Sequence, residues 1–252
     1  MDINKFFFSG ESAALHYASR ALARRGYHIC TTPDANITHL VLPVPSFEKN
    51  GRIKGDVPLD SVLSCLPKDI TIIGGNLKND LLTGYPCIDL LLDDTYLAQN
   101  ASITAYCALT YATNKLPVTL RQCPILIIGW GRIGKCLAKL LSQLGADVSI
   151  FARKSTDVAM LEALGYKSET LSLPAYNLSR YRVIFNTAPT LLLTQAHLRF
   201  CHPDCLKIDL ASSPGIDGSD VISARGLPGK DAPESSGKLI ADTIARLVAR
   251  KE

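Results

Sequence analysis

The segment "ILIIGWGRIGKCL", residues 125–137, constrains the fold of this chain more than any other segment. Gly129, Gly131 and Gly134 keep the GxGxxG spacing between an all-apolar strand and an amphipathic helix, which is the context that a dinucleotide-binding turn requires. Gly129 permits the tight turn, Gly131 lets the backbone approach a pyrophosphate, and Gly134 allows close packing of helix on strand. Arg132 and Ile133 open the helix, whose unpaired N–H groups favour an anion.

Strands and helices alternate around this turn. After it the sequence predicts strands at 147–152, 182–186 and 205–212, with helical segments between them, an order that indicates right-handed crossovers and a parallel sheet. A helix at 11–26 and strands at 27–31, 38–44 and 69–75 predict a smaller α/β unit before it, with a polar loop at 45–56.

The predicted fold class is therefore α/β, with a Rossmann-type doubly wound parallel sheet and a smaller N-terminal α/β domain. We expect an N-terminal domain at 1–95, a linking helix at 96–117 and a nucleotide-binding domain at 118–231. Residues 232–252 are expected to return to the N-terminal domain, mainly as a helix from Lys238 to Arg250.

The end of the second strand of the nucleotide-binding domain bears on the choice of cofactor. An acid about 20 residues after the glycine turn usually accepts from the ribose hydroxyl of NAD. Here Ala152, Arg153, Lys154 and Ser155 stand at that place, and the basic pair with the serine hydroxyl suits a 2′-phosphate. The sequence therefore favours NADP over NAD, the alternative being a solvated basic turn.

Two further strand ends should face the same crevice, because ligands of open α/β sheets bind outside the carboxyl ends of the strands. Small polar residues after these strands fit a nicotinamide and its ribose, although Asn, Ser, Pro and Gly are also common turn residues. The residues that we expect to contact the cofactor there are Asn186, Thr187, Ala188 and Pro189 after one strand and Leu210 and Ala211 after the other.

Composition excludes several classes of protein. The 252 residues carry a formal charge of +4 with no basic block, so a nucleic-acid partner is not expected. The N-terminus has neither a signal peptide nor an apolar run of membrane-spanning length, so we expect a cytoplasmic protein without a membrane partner. The 8 cysteines are expected to be buried reduced thiols. Cys201 and Cys205 lie near His197 and His202, but no second cysteine pair has ligand spacing, so no metal is expected.

Several segments resemble the A subunit of bacterial dipicolinate synthase. They are "VIFNTAP" at 183–189, "KIDLASSPG" at 207–215 and "ARGLPGKDAPESSG" at 224–237, with "LVLPVPSFEKNG" at 40–51 and "NASITAYCAL" at 100–109 in support. The resemblance implies a fold related to that of D-specific 2-hydroxy-acid dehydrogenases, with a nucleotide domain and a smaller partner domain across a cleft. It also implies oxidation of dihydrodipicolinate to dipicolinate in sporulating bacteria, together with a flavoprotein-like B subunit; a homo-oligomer stays open.

The same resemblance implies where the small dicarboxylate substrate binds. The segment "GLPGKDAP" at 226–233, which contains two prolines, would form a rigid wall that faces the anion. Alternatively, it would form a rigid cap that only holds the last helix in place. The residues that we expect to bind substrate are Ser102, Thr104, Ser212, Pro214, Gly229, Lys230 and Pro233. No catalytic base is assigned, because no histidine lies in these motifs and the aromatisation of the ring drives the reaction.

This sequence departs from the family pattern at several positions. Ile103, Tyr106 and Cys107 stand where proline, glutamate and glycine are common, and Glu234 stands where lysine is usual. The span 216–224 is short and is expected to lack a helix and a strand. Two alternatives therefore stay open: a 2-hydroxy-acid dehydrogenase on the same scaffold, and a nucleotide-binding subunit with impaired catalysis.

Overall fold

The computed structural model describes residues 4–169 and 175–249. The chain divides into two compact units, each with its own parallel sheet. The first unit comprises Met1–Asn100 and Pro228–Glu252, and the second comprises Ala101–Leu227. The α/β class with a doubly wound parallel sheet is confirmed.

The first unit is built on a five-stranded parallel sheet in the order β2-β1-β3-β4-β5. Its strands are β1 Lys5–Phe8, β2 His28–Cys30, β3 His39–Val41, β4 Thr71–Gly74 and β5 Cys87–Asp89. Its helices are α1 Ala13–Arg24, α2 Leu59–Ser64 and the beginning of α3 Asp94–Lys115, which continues into the second unit. Ser12 begins α1 by accepting a hydrogen bond from the Leu15 amide at 3.4 Å. The sequence prediction omitted α2 and β5.

Residues 45–56 are not the purely polar loop that the sequence predicted. Ile53 is fully buried in the core beside β3 and β4, and it makes antiparallel bridges to Phe47 and Val57. Gly51 and Gly55 have φ angles of +79° and +89°, which let the chain fold back around it. Ile53 thus anchors the segment, together with the fully buried Ser46 and with Phe47, which packs against the same core.

The C-terminal segment packs on α1 through the helix α8 Pro233–Val248, after the short helix α7 Leu227–Asp231. A Cβ on Gly237 would lie 2.5 Å from the Ala14 carbonyl oxygen, so the two helices approach as closely as a glycine allows. Ile240 and Ile244 of α8 are almost completely buried, each contributing roughly 2 kcal/mol relative to exposure. The helix begins at Pro233, five residues before the predicted Lys238, because proline suits the first helical turn.

The second unit is built on a six-stranded parallel sheet in the order β11-β10-β9-β6-β7-β8. Its strands are β6 Pro124–Ile128, β7 Asp147–Phe151, β8 Lys167–Glu169, β9 Val183–Asn186, β10 Leu206–Asp209 and β11 Val221–Ser223. Its helices are α4 Arg132–Gln143, α5 Ser155–Ala163 and α6 Gln195–Leu198. The chain reverses its direction of winding between β6 and β9, and such switch points are where doubly wound sheets bind ligands.

The sequence analysis did not predict two strands of this sheet. β8 and β11 are edge strands of only three residues, too short to show a period of two. The short span 216–224 therefore keeps a strand, which pairs in parallel with β10 from Lys207↔Val221 to Asp209↔Ser223. The expectation that it lacks a strand was wrong.

Within residues 4–169 and 175–249, no helix is both long and apolar enough to cross a membrane. All eight cysteines are free thiols. Cys107, Cys123 and Cys205 are buried as expected, but Cys30, Cys136 and Cys201 are only partly buried and Cys65 and Cys87 are exposed, so the expectation of general burial was wrong.

Candidate functional site

The glycine turn joins β6 to α4 as the spacing predicts. Gly129 has a φ of +105°, a backbone conformation that residues with a side chain rarely adopt. Its amide donates a hydrogen bond of 2.9 Å to the Phe151 carbonyl at the end of β7. A Cβ on Gly134 would lie 2.1 Å from the Gly129 carbonyl oxygen, so helix and turn are in contact. Gly131, by contrast, has no heavy atom within 4 Å of where a Cβ would lie. The turn needs two of its glycines for folding, and the third leaves an open backbone face.

A pocket of about 380 Å³ lies beside this turn, within the size range of small-molecule sites. It is formed by the turn and by the segments that follow β7 and β9, all within the second unit. Its lining residues are Gly129, Trp130, Gly131, Phe151, Arg153, Lys154, Asp157, Thr187, Ala188, Pro189, Thr190 and Leu192. Seven of the predicted cofactor residues are therefore brought together on one concave surface.

Arg153 and Lys154 line this pocket and are exposed. Neither has an ion-pair partner among residues 4–169 and 175–249, so both charges face solvent. Ser155 is the first residue of α5 and is exposed, whereas Ala152 is buried with 3% exposure and contributes only backbone. The basic pair therefore adds two positive charges to the lining of this pocket.

Asp157 is an acidic lining residue that the sequence analysis did not predict. It lies in the first turn of α5, and its amide donates to the Lys154 carbonyl at 3.0 Å. The prediction looked for an acid at the strand end, but the helix that follows turns Asp157 back into the same pocket as Arg153. A carboxylate in the first helical turn after a strand was the signal available in the sequence.

Trp130 is a second lining residue that was not predicted. It is the single tryptophan of the chain, and its ring meets Tyr166 edge-on with 5.7 Å between ring centroids. The Lys135 ammonium lies 5.7 Å from the centroid of the indole ring, within cation–π range. The indole is thus held at the glycine turn, where its fluorescence can report on ligand binding.

The residues after β9 divide into two groups. The Thr187 hydroxyl donates to the Ile128 carbonyl at 3.0 Å and ties the ends of β6 and β9 together. Asn186 is fully buried, and its side-chain amide donates to the Ala188 carbonyl at 3.0 Å and to Asp209 Oδ1 at 2.8 Å. Asn186 therefore shapes the loop from within, while Ala188 and Pro189 line the pocket.

Asp209, at the end of β10, organises the neighbouring loop and was also missed. Its carboxylate is 3% exposed and accepts four hydrogen bonds, from the Asn186 side chain and from the amides of Ala211, Gly215 and Ile216. Burying a carboxylate costs free energy unless hydrogen-bond donors satisfy its oxygens, as they do here. A Cβ on Gly215 would lie 2.2 Å from Asn186 Nδ2, so this loop and the β9 loop interlock.

The remaining predicted residues of the second unit lie outside the pocket lining. Leu210 and Ala211 are buried, whereas Ser212 and Pro214 are exposed on the loop that Asp209 holds. Arg132 and Ile133 begin α4, and Ser102 and Thr104 lie on α3, Thr104 with 7% exposure.

The substrate residues predicted in the first unit lie on α7 and at the start of α8. The segment 227–231 is a short helix and not an extended turn, with the Ala232 amide donating to the Pro228 carbonyl at 3.2 Å. No heavy atom lies within 4 Å of a Cβ placed on Gly229, so this residue presents an open surface. Pro233 begins α8, and Lys230 is exposed.

Lys54 is a cation near Lys230 that the sequence did not reveal. Burial lowers the pKa of the Lys54 ammonium, Glu48 opposes this shift, and the positive charge of Lys230 adds to the lowering. The charges of these two lysines repel each other, and Lys54 is half-buried, so together they raise the local positive potential.

The histidines and cysteines of the segment 197–205 interact with neighbouring residues of the same part of the chain. His197 Nδ1 lies 2.9 Å from the Thr194 hydroxyl at the start of α6, and His202 Nδ1 accepts from the Asp204 amide at 3.1 Å. A hydrogen bond from Cys205 lowers the pKa of Cys201. Across the ranges 4–169 and 175–249, no three histidine, cysteine or acidic residues form a group that could hold a metal.

No family model matches the sequence. The chain is similar to the A subunit of dipicolinate synthase from Bacillus subtilis, with 27% identity over 170 residues. The match includes 64% of this chain and 57% of that protein, so it spans less than two thirds of the relative's length. The resemblance read from the sequence is confirmed.

Two solved structures have a fold similar to that of this chain. The A subunit of dipicolinate synthase from Bacillus halodurans has a TM-score of 0.83 at 21% identity, with 98% of both chains covered. D-lactate dehydrogenase from Escherichia coli has a TM-score of 0.59 at 12% identity, covering 98% of this chain and 97% of that chain. At these identities the likeness concerns the fold alone.

Proposed function

We propose that this chain is an NADP-dependent oxidoreductase of the dipicolinate synthase A type. The observation that carries the proposal is the pocket that joins the glycine turn to Arg153 and Lys154. The dehydrogenase fold and the similarity to the A subunit of dipicolinate synthase support a nicotinamide nucleotide as its cofactor.

The residues of the pocket fit such a nucleotide. The open face at Gly131 and the first turn of α4 would receive the pyrophosphate, because the N-terminus of a helix favours an anion. Arg153 and Lys154 would hold a 2′-phosphate, while Asp157 would oppose it or accept from a ribose hydroxyl. The pocket thus contains determinants for both nucleotides, and the two cations outweigh the one acid. Bound NADP supplies the hydride acceptor.

The proposed reaction is the two-electron oxidation of dihydrodipicolinate to dipicolinate. The ring loses a hydride to the oxidised nicotinamide and a proton to solvent or to a base that we do not assign. Lys54 and Lys230 would bind the carboxylates, since a dianion relieves the repulsion between the two ammonium groups. We further propose, from the similarity to one component of a synthase, that a flavoprotein-like B subunit is the partner.

The experiment that tests the cofactor assignment uses Trp130 fluorescence in titrations with NADPH and NADH. Arg153→Ala should weaken NADPH binding at least tenfold, about 1.4 kcal/mol, and leave NADH binding nearly unchanged. Asp157→Asn should act in the opposite direction and tighten NADPH more than NADH. Lys139→Ala removes one exposed positive charge from α4 outside the pocket lining and serves as the matched control. Equal losses for both nucleotides in Arg153→Ala would contradict the assignment.

A second candidate is a nucleotide-binding subunit with impaired catalysis. Tyr106, which stands where the family resemblance implies a glutamate, is 57% exposed on α3 and brings no carboxylate. Turnover of dihydrodipicolinate with NADP, with and without a flavoprotein-like partner, distinguishes the two candidates. Nucleotide binding without turnover in either case would favour the second, and activity on a panel of 2-oxo acids would instead reveal a 2-hydroxy-acid dehydrogenase.

A further inference from the structure

The first unit carries a second concave surface, formed by one face of α1 and the N-terminal part of α8. This basic groove has a volume of about 340 Å³. Its lining residues are Tyr17, Arg20, Ala21, Arg24, Glu234 and Lys238. The α1 residues are spaced three and four apart and therefore lie on one helix face. The close approach of the two helices at Gly237 fixes the opposite wall relative to it.

The groove holds more positive than negative charge. Arg20, Arg24 and Lys238 are positive at neutral pH, and Glu234 is the single acid among the lining residues. These four charged side chains are all exposed. None of them has an ion-pair partner within the part of the chain that the structure describes. The neighbouring Arg25, in contrast, pairs with an acid of α8, Asp242. The helix pair thus neutralises Arg25 and leaves the groove with three cations and one acid.

Like charges four residues apart on a helix, such as Arg20 and Arg24, repel each other and destabilise the helix. An anion between them and Lys238 would remove this repulsion. Arginine presents a planar fork of donors that matches phosphate oxygens in pairs. The volume lies at the lower end of the range of small-molecule sites, so the groove can accept a phosphate group with a small substituent.

We propose that the basic groove is a binding site for a small phosphate-bearing anion, separate from the nucleotide pocket and independent of the proposed function. Arg20, Arg24 and Lys238 supply the positive charge. Glu234 opposes the ligand and sets its affinity, because a carboxylate in the same groove cancels part of the potential. Substitutions on the two sides of this balance should therefore have opposite effects.

The test measures binding of inorganic phosphate to the full chain by phosphorus NMR line broadening, at constant ionic strength held with chloride. Each variant is made in the wild-type chain and in an Arg153→Gln chain, which removes the proposed phosphate contact of the nucleotide pocket. Arg20→Gln and Arg24→Gln should each weaken binding about tenfold, and Glu234→Gln should tighten it. Lys139→Gln, an equal loss of charge outside the groove, should leave binding unchanged.

The proposal is overturned if phosphate shows no saturable binding, or if Arg153→Gln alone abolishes it. It is also overturned if Arg20→Gln and Arg24→Gln bind as tightly as the wild type. The substituted side chains are exposed, so these variants are expected to keep the fold, and circular dichroism verifies this for each. A failure of the NADP assignment would appear in the Trp130 titration and not in this experiment.

Discussion

Asp209→Asn is the substitution whose effect the structure determines most directly. Asp209 Oδ1 accepts from Asn186 Nδ2 at 2.8 Å and from the Ala211 amide at 3.1 Å. Oδ2 accepts from the Gly215 amide at 2.7 Å and from the Ile216 amide at 3.3 Å. Asparagine keeps the size of the side chain but has one oxygen, so whichever way it turns, its NH₂ group faces two donors.

The expected cost follows from these bonds. A hydrogen bond to a charged group contributes about 1.5–3 kcal/mol, and two such bonds are lost in a site that is 3% exposed. The longest of the four contributes least, so we expect the free energy of unfolding to fall by about 3 kcal/mol or more. For a unit of this size that corresponds to roughly 10 °C in the melting temperature.

Urea unfolding followed by Trp130 fluorescence measures this loss, because the tryptophan lies in the same unit as Asp209. Asp217→Asn is the matched control: Asp217 is exposed on the same loop, and its contact there is a backbone bond to Leu193 at 2.8 Å that the substitution keeps. If Asp209→Asn unfolds at the wild-type urea concentration, or if the control loses as much stability, the carboxylate does not hold the loop.

Three further predictions concern other parts of the molecule. Gly131→Ala should fold normally and bind NADPH more weakly, whereas Gly134→Ala should lower the melting temperature, because its Cβ would meet a carbonyl oxygen at 2.1 Å; thermal unfolding and titration of each variant check both outcomes. Gly229→Val should keep its stability, since its side chain enters open space, yet weaken dipicolinate binding in calorimetry; unchanged affinity would refute the substrate assignment. Burial and Lys230 lower the pKa of Lys54 from its usual value of 10.5. The protonated ammonium therefore lowers the free energy of unfolding at every pH below the lowered pKa. Lys54→Gln should therefore raise the free energy of unfolding at neutral pH, by a margin that shrinks as the pH rises towards 10.5; a margin independent of pH in urea unfolding would contradict this.

Much of the second unit could be predicted from sequence, because its determinants are local. The apolar strand that ends before Gly129 and the amphipathic helix that begins at Arg132 are close in the chain, and the spacing of the glycines between them predicts the geometry of the turn. Arg153 follows its strand directly, so the parallel order of strands was enough to bring it to the same edge of the sheet. The edge strands β8 and β11 were missed because three residues are too few to show a pattern.

The sequence by itself determined the alternation of strands and helices, the glycine turn and the basic residues at the end of β7, because each depends on neighbours along the chain. Only the tertiary structure decided that Asp157 shares a pocket with Arg153, that Lys54 lies near Lys230, and that α1 and α8 enclose a basic groove. Residues such as Arg20 and Lys238 are more than two hundred positions apart in the chain. Their proximity follows from the burial of apolar faces across the whole unit, which leaves no trace in the spacing of the charged residues themselves.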